Sequence, residues 1–546
     1  MTAPATTRPR PDGPAHEAGG ISPLTGFGGL LRAEWVKFRS VRGWVIGMFL
    51  AGVLMVFIGE FAAANASIGC QINGGPVRTG RACLPYVPHG PGGEVVSDSF
   101  YFVHQPLTGN GSITARVVSL TGKHVRINGG PVQVGNANLV PGLTAWAKAG
   151  IIVKQSTHQG SSYAAMMVTG GNGVRMQYDY TGDVAGLPGA ASAAHPRWLR
   201  LTRSGDTITG YDSADGSRWT RVDTVRLSGL SKTVQVGLFA TSPGYTVTQS
   251  SFGGSTSNGG PAQATGVFDA VRLTGGAPGG RWTGTAVGGG GPVGQIQDQG
   301  PGFSESGGTF TVTGSGDIAP VTPGAGSGIP TVTIEQSLAG AFLGLIAIVV
   351  VAAMFFTVEY RRGLIRTTLA ATPRRGAVLA AKAVVIGAVA FVIGLVASVI
   401  CIAAGVPKEE NNGLVLLVVS PLTEARVIIG TAALLAVAAV LALALGAVLR
   451  RSAAAITVAV VIVILPFLLV ALSIVPAGAG AWLLRVTPAA GLAVQQSVPR
   501  YSQVATVVSP VRGYYPLSPY AGFGVLCLWA AAALVLAVVL LGRRDA

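Results

Sequence analysis

Phe355-Phe356-Thr357-Val358-Glu359-Tyr360-Arg361-Arg362-Gly363-Leu364-Ile365-Arg366-Thr367-Thr368-Leu369-Ala370-Ala371-Thr372-Pro373-Arg374-Arg375-Gly376 is a basic island between two apolar stretches of membrane length. Lys and Arg resist translocation, so this island is expected on the cytoplasmic side. Leu364, Ile365, Thr368 and Leu369 fall at helical spacing and offer one apolar face. Arg361, Arg362, Arg366, Arg374 and Arg375 are placed to meet carboxylates of a partner or anionic lipid. Pro373 should end the helix and turn the chain into the next span. Glu359 stands where the preceding span ends, so a push on residues 359–376 would move that span directly.

Crossing about 30 Å of hydrocarbon takes about 20 helical residues. Six stretches of the sequence qualify: 44–64, 337–357, 378–404, 427–448, 453–475 and 521–541. Basic residues gather before the first span, between the second and third, between the fourth and fifth, and after the sixth. Both termini are therefore expected inside, in a multi-pass plasma-membrane protein. Residues 477–520 hold a short apolar piece, Ala479 to Val494, that fits a re-entrant or surface-lying helix better than a crossing. Glu60 lies 16 residues beyond Trp44, about 24 Å along a helix, and is expected as a solvated carboxylate at the outer boundary.

The composition agrees. Of 546 residues, 49% are hydrophobic and only 11% charged, against about 25% charged in an ordinary soluble protein. Mean hydropathy is +0.52. The net charge of +16 flanks spans rather than forming a nucleic-acid motif, so no nucleic-acid partner is expected.

Residues 1–23 are Pro-, Ala- and Thr-rich and read as a disordered cytoplasmic tail. Residues 24–43 read as an amphipathic interfacial helix, with Phe27, Leu31, Trp35 and Phe38 on one face. Ala64-Asn65-Ala66 has the form of a signal-peptidase site. The long apolar core and the polar lead before it favour an uncleaved first span.

Residues 68–274 differ in kind. Short alternating segments recur between turn signals, which argues for an all-β sandwich outside the membrane. Strands are expected at Ser99–Val103, Gly111–Val118, Ala149–Lys154, Tyr163–Thr169, Val174–Tyr180, Trp198–Arg203, Thr207–Tyr211, Val234–Ala240 and Thr265–Leu273. Asn172-Gly173 and Asp215-Gly216 are hairpin signals. Residues 275–334, rich in Gly, Pro, Ser and Thr, read as a flexible stalk, to which Phe310 to Thr313 could add one strand. Cys70 and Cys83 follow the first span in an oxidising compartment and make a natural disulfide pair.

Catalytic chemistry finds little support. Glycoside hydrolysis needs two carboxylates across a cleft. Asp212 and Asp215 sit in a turn signature, and Asp179 and Asp183 lack an evident partner. The histidines show no metal-type spacing. Trp146, Tyr163, Trp198 and Trp219 are candidates for stacking on sugars, or for filling the sandwich core. No Gly-x-x-x-x-Gly-Lys-Ser/Thr sequence occurs, so P-loop chemistry cannot reside in this chain. No catalytic residue, metal or cofactor is expected in it.

Two resemblances extend this reading. The basic island, the lead at 25–66 and the ending Leu517-Ser518-Pro519-Tyr520-Ala521-Gly522 through Ala546 resemble actinobacterial ABC-transporter permeases of the type-2 exporter class. In that family the island is the coupling helix that docks on the ATPase, and residues before the first span form an elbow helix. The resemblance implies a separate cytosolic ATPase subunit carrying ATP and Mg, a second permease copy, and export of a substrate that it leaves unnamed. Trp146-Ala147-Lys148-Ala149-Gly150, Trp198-Leu199-Arg200-Leu201-Thr202, Tyr211-Asp212-Ser213-Ala214-Asp215-Gly216 and Phe268-Asp269-Ala270-Val271 resemble concanavalin A-like, laminin-G-like jelly-roll modules of bacterial surface proteins. Such modules often bind cell-surface glycans. A large domain after the first span departs from the permease pattern, so a signalling unit and a membrane-anchored glycan-binding protein stay open beside transport.

Overall fold

The computed structural model describes residues 23–70, 78–83, 86–126, 139–251, 254–276, 280–288, 302–323, 329–363, 374–504 and 508–543. Among the described residues, six helical segments are long and apolar enough to cross a membrane: Arg42–Asn65, Gln336–Arg361, Arg375–Asn411, Pro421–Leu449, Ser452–Ala471 and Pro519–Arg543. Their helices are α2 (Arg42–Asn65), α3 (Ala341–Arg361), α4 (Arg375–Asn411), α5 (Pro421–Leu449), the pair α6 (Ser452–Val463) and α7 (Leu465–Ala471), and α9 (Pro519–Arg543). The break between α6 and α7 falls beside Pro466, which lacks the N–H that a continuous helix needs there. α8 (Ala477–Val486) and a 3-10 segment (Pro488–Gln495) form an apolar pair bent by 94°, a broken span or a re-entrant loop.

An amphipathic helix, α1 (Pro23–Ser40), precedes α2. α5 lies centrally, packed on α3, α4, α6 and α9. Small residues let the helices approach closely, as lipid-embedded bundles require. α2 buries Met48, Ala51, Met55, Gly59 and Ala63, so its packed face is mostly small residues and methionine. Gly340 and Gly344 at the start of α3 lie against the backbone at Met55 and Ala51.

Between α2 and α3 in the chain lies a large all-β region. Seven strands form one antiparallel sheet in the order Gly182–Ala185, Val174–Tyr178, Tyr163–Thr169, Lys148–Lys154, Thr233–Thr241, Phe100–Thr108, Thr283–Val287. An eight-stranded sheet runs Thr220–Arg226, Thr207–Ser213, Arg197–Ser204, Gly111–Val125, Ala262–Gly275, Thr309–Ser315, Phe303–Ser306, with Leu139–Pro141 paired beside Gly111–Val125. The core between them holds Val103, Ile113, Ala115, Ile151, Met166, Met176, Leu199, Leu201, Val236, Leu238 and Phe268. Alternation dictates this: on Arg197–Ser204 the buried residues are Leu199, Leu201 and Arg203. Gly237 has no room for a side chain, because a Cβ would sit 1.9 Å from the Val103 carbonyl.

The stalk expected over 275–334 needs correction. Its described residues supply strands Thr283–Val287, Phe303–Ser306, Thr309–Ser315, Ile318–Pro320 and Thr331–Val332. Gly and Ser favour flexible chain in isolation, but an open sheet edge offers backbone partners that override that preference. Cys70 and Cys83 are joined, with Cα atoms 5.5 Å apart.

Candidate functional site

The end of α3 is a meeting point. Glu359 lies in its last turn, and its Oε1 accepts a 2.6 Å hydrogen bond from Nζ of Lys382 on α4. Lys382 also donates to Oε2 of Glu34 on α1 at 2.6 Å. Lys37 Nζ stands 3.0 Å from Glu34 and 3.8 Å from Glu359. The side chain of Lys382 is fully buried and that of Glu34 is 2% exposed. Two carboxylates and two ammonium groups thus balance, which a buried cluster requires. The Phe355 ring lies 4.8 Å from the Lys382 nitrogen and adds a cation–π contact.

The local sequence explains the convergence. Glu34 falls between Leu31 and Phe38 on the packed face of α1, and Phe38 meets Phe355 edge-on at 5.8 Å. Lys382 lies seven residues into α4, within the expected span 378–404. A charge at that position demands a partner. Two further contacts reach the same end of α3: Arg450 lies 4.7 Å from the centre of the Tyr360 ring, and Thr357 hydrogen-bonds Ser452 at 2.7 Å. Arg375 donates to the Leu541 carbonyl of α9 at 2.6 Å.

The residues expected at the coupling segment divide accordingly. Glu359 joins the ion network, Arg361, Arg362 and Arg374 are exposed, and Arg375 ties α4 to α9. Leu364, Ile365, Arg366, Thr368 and Leu369 lie outside the described residues. On α1, Phe38 is buried, Phe27 and Leu31 are half-buried, and Trp35 is 46% exposed while stacking on Phe38. The sequence reading missed Glu34 and Lys382. A lone lysine inside an apolar run was the available signal.

A second junction lies at the opposite end of the helices. Thr331–Val332 pairs in parallel with Val415–Leu416, the segment between α4 and α5. Val95, Val321, Leu417, Val498 and Tyr514 pack together there, joining the β region to two interhelical segments. Gln503 Nε2 donates to the Tyr180 carbonyl at 2.6 Å, and Ser502 Oγ to Asp183 Oδ2 at 2.6 Å. Asp179 and Tyr180 both have left-handed backbones, φ 41° and 60°. Such residues cost about 1–3 kcal/mol each and persist where surrounding contacts fix them. The hydrogen bonds of Asp183 to Arg175, Gln177 and Ser502 outweigh its burial and hold its carboxyl below the ordinary range. Glu60, expected as a solvated boundary carboxylate, is half-buried and paired with Lys408, whose side chain is 48% exposed.

Burial sorts the aromatic candidates. Tyr163 is 1% exposed and Trp146 9%, so both fill the interior and cannot stack on a surface ligand. Trp198 and Trp219 are half-buried on the eight-stranded sheet, with Arg116 and Arg200 lying 5.6 Å and 3.9 Å from their ring centres. Asp215 Oδ1 accepts the backbone N–H groups of Ser217 and Arg218, which hold its carboxyl well below the usual range. It is a turn residue. Asp212 is buried, and its Oδ2 accepts the Leu187 N–H.

No family model matches the chain, and no curated protein matches it. Among solved structures, a functionally unknown protein from Saccharomyces cerevisiae is 15% identical, with a TM-score of 0.18, over 40% of this chain and 99% of its own. A scytalido-glutamic peptidase with a transition state analog inhibitor is 9% identical, with a TM-score of 0.23, over 41% and 100%. Likeness at this level carries no weight for fold or function.

Proposed function

We propose that this chain is the membrane permease subunit of an ABC exporter, in which a separate ATPase drives outward movement of a substrate. The observation that supports this reading most is the convergence at the end of α3. The helix entering the basic island, the helix leaving it and α1 share one buried ion network. A force applied to residues 359–376 would therefore reach three helices at once. A passive anchor needs one span and no such hub. In this reading ATP and Mg belong to the partner, α1 is the elbow helix, two permease copies assemble, and the β region lies outside as a jelly-roll module.

A second reading, an ABC-type signalling unit, draws on the other junction. The β region is held to the segments at 415–417 and 498–515 by strand pairing, apolar packing and hydrogen bonds. Ligand-induced movement of that region, for example by a glycan on Trp198 and Trp219, would then bias the helices.

Changing Leu364 and Leu369 together to Asp leaves the charge rule for topology nearly intact, since acids contribute little to it. The double variant should insert normally and lose its ATPase partner on affinity purification. Retention of the ATPase at the wild-type level would defeat docking at this segment.

A further inference from the structure

The face of the seven-stranded sheet that points away from the main core carries a separate cluster. Phe100, Phe102, Ile152, Tyr163, Tyr180, Phe239 and neighbouring apolar side chains form it. Lys154 and Asp98 lie inside, and both side chains are 0% exposed. Lys154 Nζ is 2.8 Å from Asp98 Oδ2. The Tyr163 and Tyr180 rings lie 5.6 Å and 5.5 Å from that nitrogen.

The two carboxylate oxygens of Asp98 are unlike each other. Oδ2 accepts the Gly160 N–H at 2.8 Å and the Tyr180 hydroxyl at 2.6 Å, besides the lysine. Oδ1 is buried and has no hydrogen-bond partner among the described residues. A buried, unpartnered carboxylate oxygen is costly. Lys154 Nζ also donates to the Ser161 carbonyl at 2.9 Å.

We propose that Lys154 and Asp98 are joined by an intramolecular isopeptide bond. The proton first passes along the existing hydrogen bond, giving neutral amine and neutral acid. The Nζ lone pair then forms a bond to Cγ of Asp98. In the tetrahedral intermediate the proton on Oδ2 and one from the nitrogen pass to Oδ1, the Cγ–Oδ1 bond breaks, and Oδ1 leaves with those two of the three ammonium protons as water. Oδ2 remains as the amide oxygen. No oxidant, reductant or further reactant is needed.

Three features support the step. Burial pushes the Lys154 ammonium down from its ordinary range, although Asp98 opposes this, so the nucleophilic amine is favoured relative to an exposed lysine. The Gly160 N–H and the Tyr180 hydroxyl already aim at the oxygen that carries charge in the tetrahedral intermediate. The product leaves neither reacting group an orphan: the amide oxygen keeps those two donors, the amide N–H keeps Ser161, and the unpartnered Asp98 oxygen and both buried charges are gone.

Lys148 provides an internal contrast on the same strand. Its Nζ lies 2.7 Å from Asp317 Oδ1, but the Asp317 side chain is 21% exposed and its Oδ1 also accepts the Ile318 N–H. Water can solvate that carboxylate, and this pair stays ionic. The cross-link would fasten Val96–Asp98, which pairs with Ile318–Pro320, to a central strand of the sheet.

The test is mass spectrometry of the full chain, purified from membranes, reduced and denatured. The expected main species is lighter than the sequence by one water. Tryptic digestion should yield a branched peptide linking Lys154 to Asp98, with no cleavage after Lys154 and normal cleavage after Lys148. Asp98→Ala should restore the full mass. A main species at the full sequence mass, with cleavage after Lys154, would overturn the proposal, and that reading needs no variant to fold.

Discussion

Lys382→Met should destabilise the protein by about 3–5 kcal/mol, the cost of removing one partner from a buried charge cluster. The substitution keeps an unbranched side chain, one atom shorter, and keeps α4 helical. It leaves Glu34 and Glu359, both now held 2.6 Å from one ammonium group, facing each other without it. Lys37 is 41% exposed and cannot take the central place without leaving solvent. Thermal unfolding in detergent, followed by loss of the monodisperse species, measures the effect. The triple variant Glu34→Gln, Glu359→Gln, Lys382→Met should regain most of the stability, because neutral groups of similar shape avoid the desolvation cost. It should not regain partner-driven activity if the ion network transmits force. Equal melting of wild type and Lys382→Met would show that the three groups are hydrated rather than locked.

Gly340→Leu should be nearly as damaging, by overpacking. A Cβ at Gly340 would lie 1.9 Å from the Met55 carbonyl oxygen and 2.8 Å from the Gly59 nitrogen. Those atoms belong to the backbone of α2 and cannot rotate aside. Overpacked cores lose about 1–3 kcal/mol, and a contact with backbone belongs at the upper end. The melting temperature should fall in the same assay. Gly524→Leu on α9 is the control, since nothing lies within 4 Å of a Cβ there. Equal loss in both variants would show that the effect is one of helix composition rather than of the contact between α2 and α3.

Much of the architecture was readable from periodicity. The six expected stretches overlap the six span-capable segments, because about 20 apolar residues admit few alternatives to a buried or membrane helix. The nine expected strands all overlap observed strands, with Ser99 falling before Phe100–Thr108 and Asp179 and Tyr180 beyond Val174–Tyr178, because alternation at period two marks a sheet with one buried face. Strand Gly254–Gly260 was missed. Its sequence is Gly-, Ser- and Asn-rich, and only pairing with Tyr245–Ser251 makes it a strand.

The sites were less legible, for a different reason. Lys382 and Glu34 are 348 residues apart. No local pattern joins them, and Lys382 reads as one more basic flank until its burial is known. Gln503 and Tyr180 pose the same problem across 323 residues. Tyr163 shows the limit of residue type. An aromatic on an alternating strand is equally suited to core and surface, and only the cluster with Phe100, Phe102 and Tyr180 on that face of the sheet buries Tyr163.

Exporter coupling stands or falls on a partner that hydrolyses ATP. The direct measurement is to extract the chain in mild detergent from the cells that produce it and to identify the proteins that copurify. The account predicts a soluble P-loop ATPase in fixed ratio to this chain, with ATP hydrolysis in the purified complex. A chain that purifies intact, with its ion network and β region folded, and brings no ATPase at any detergent mildness that retains bound lipid, would contradict it.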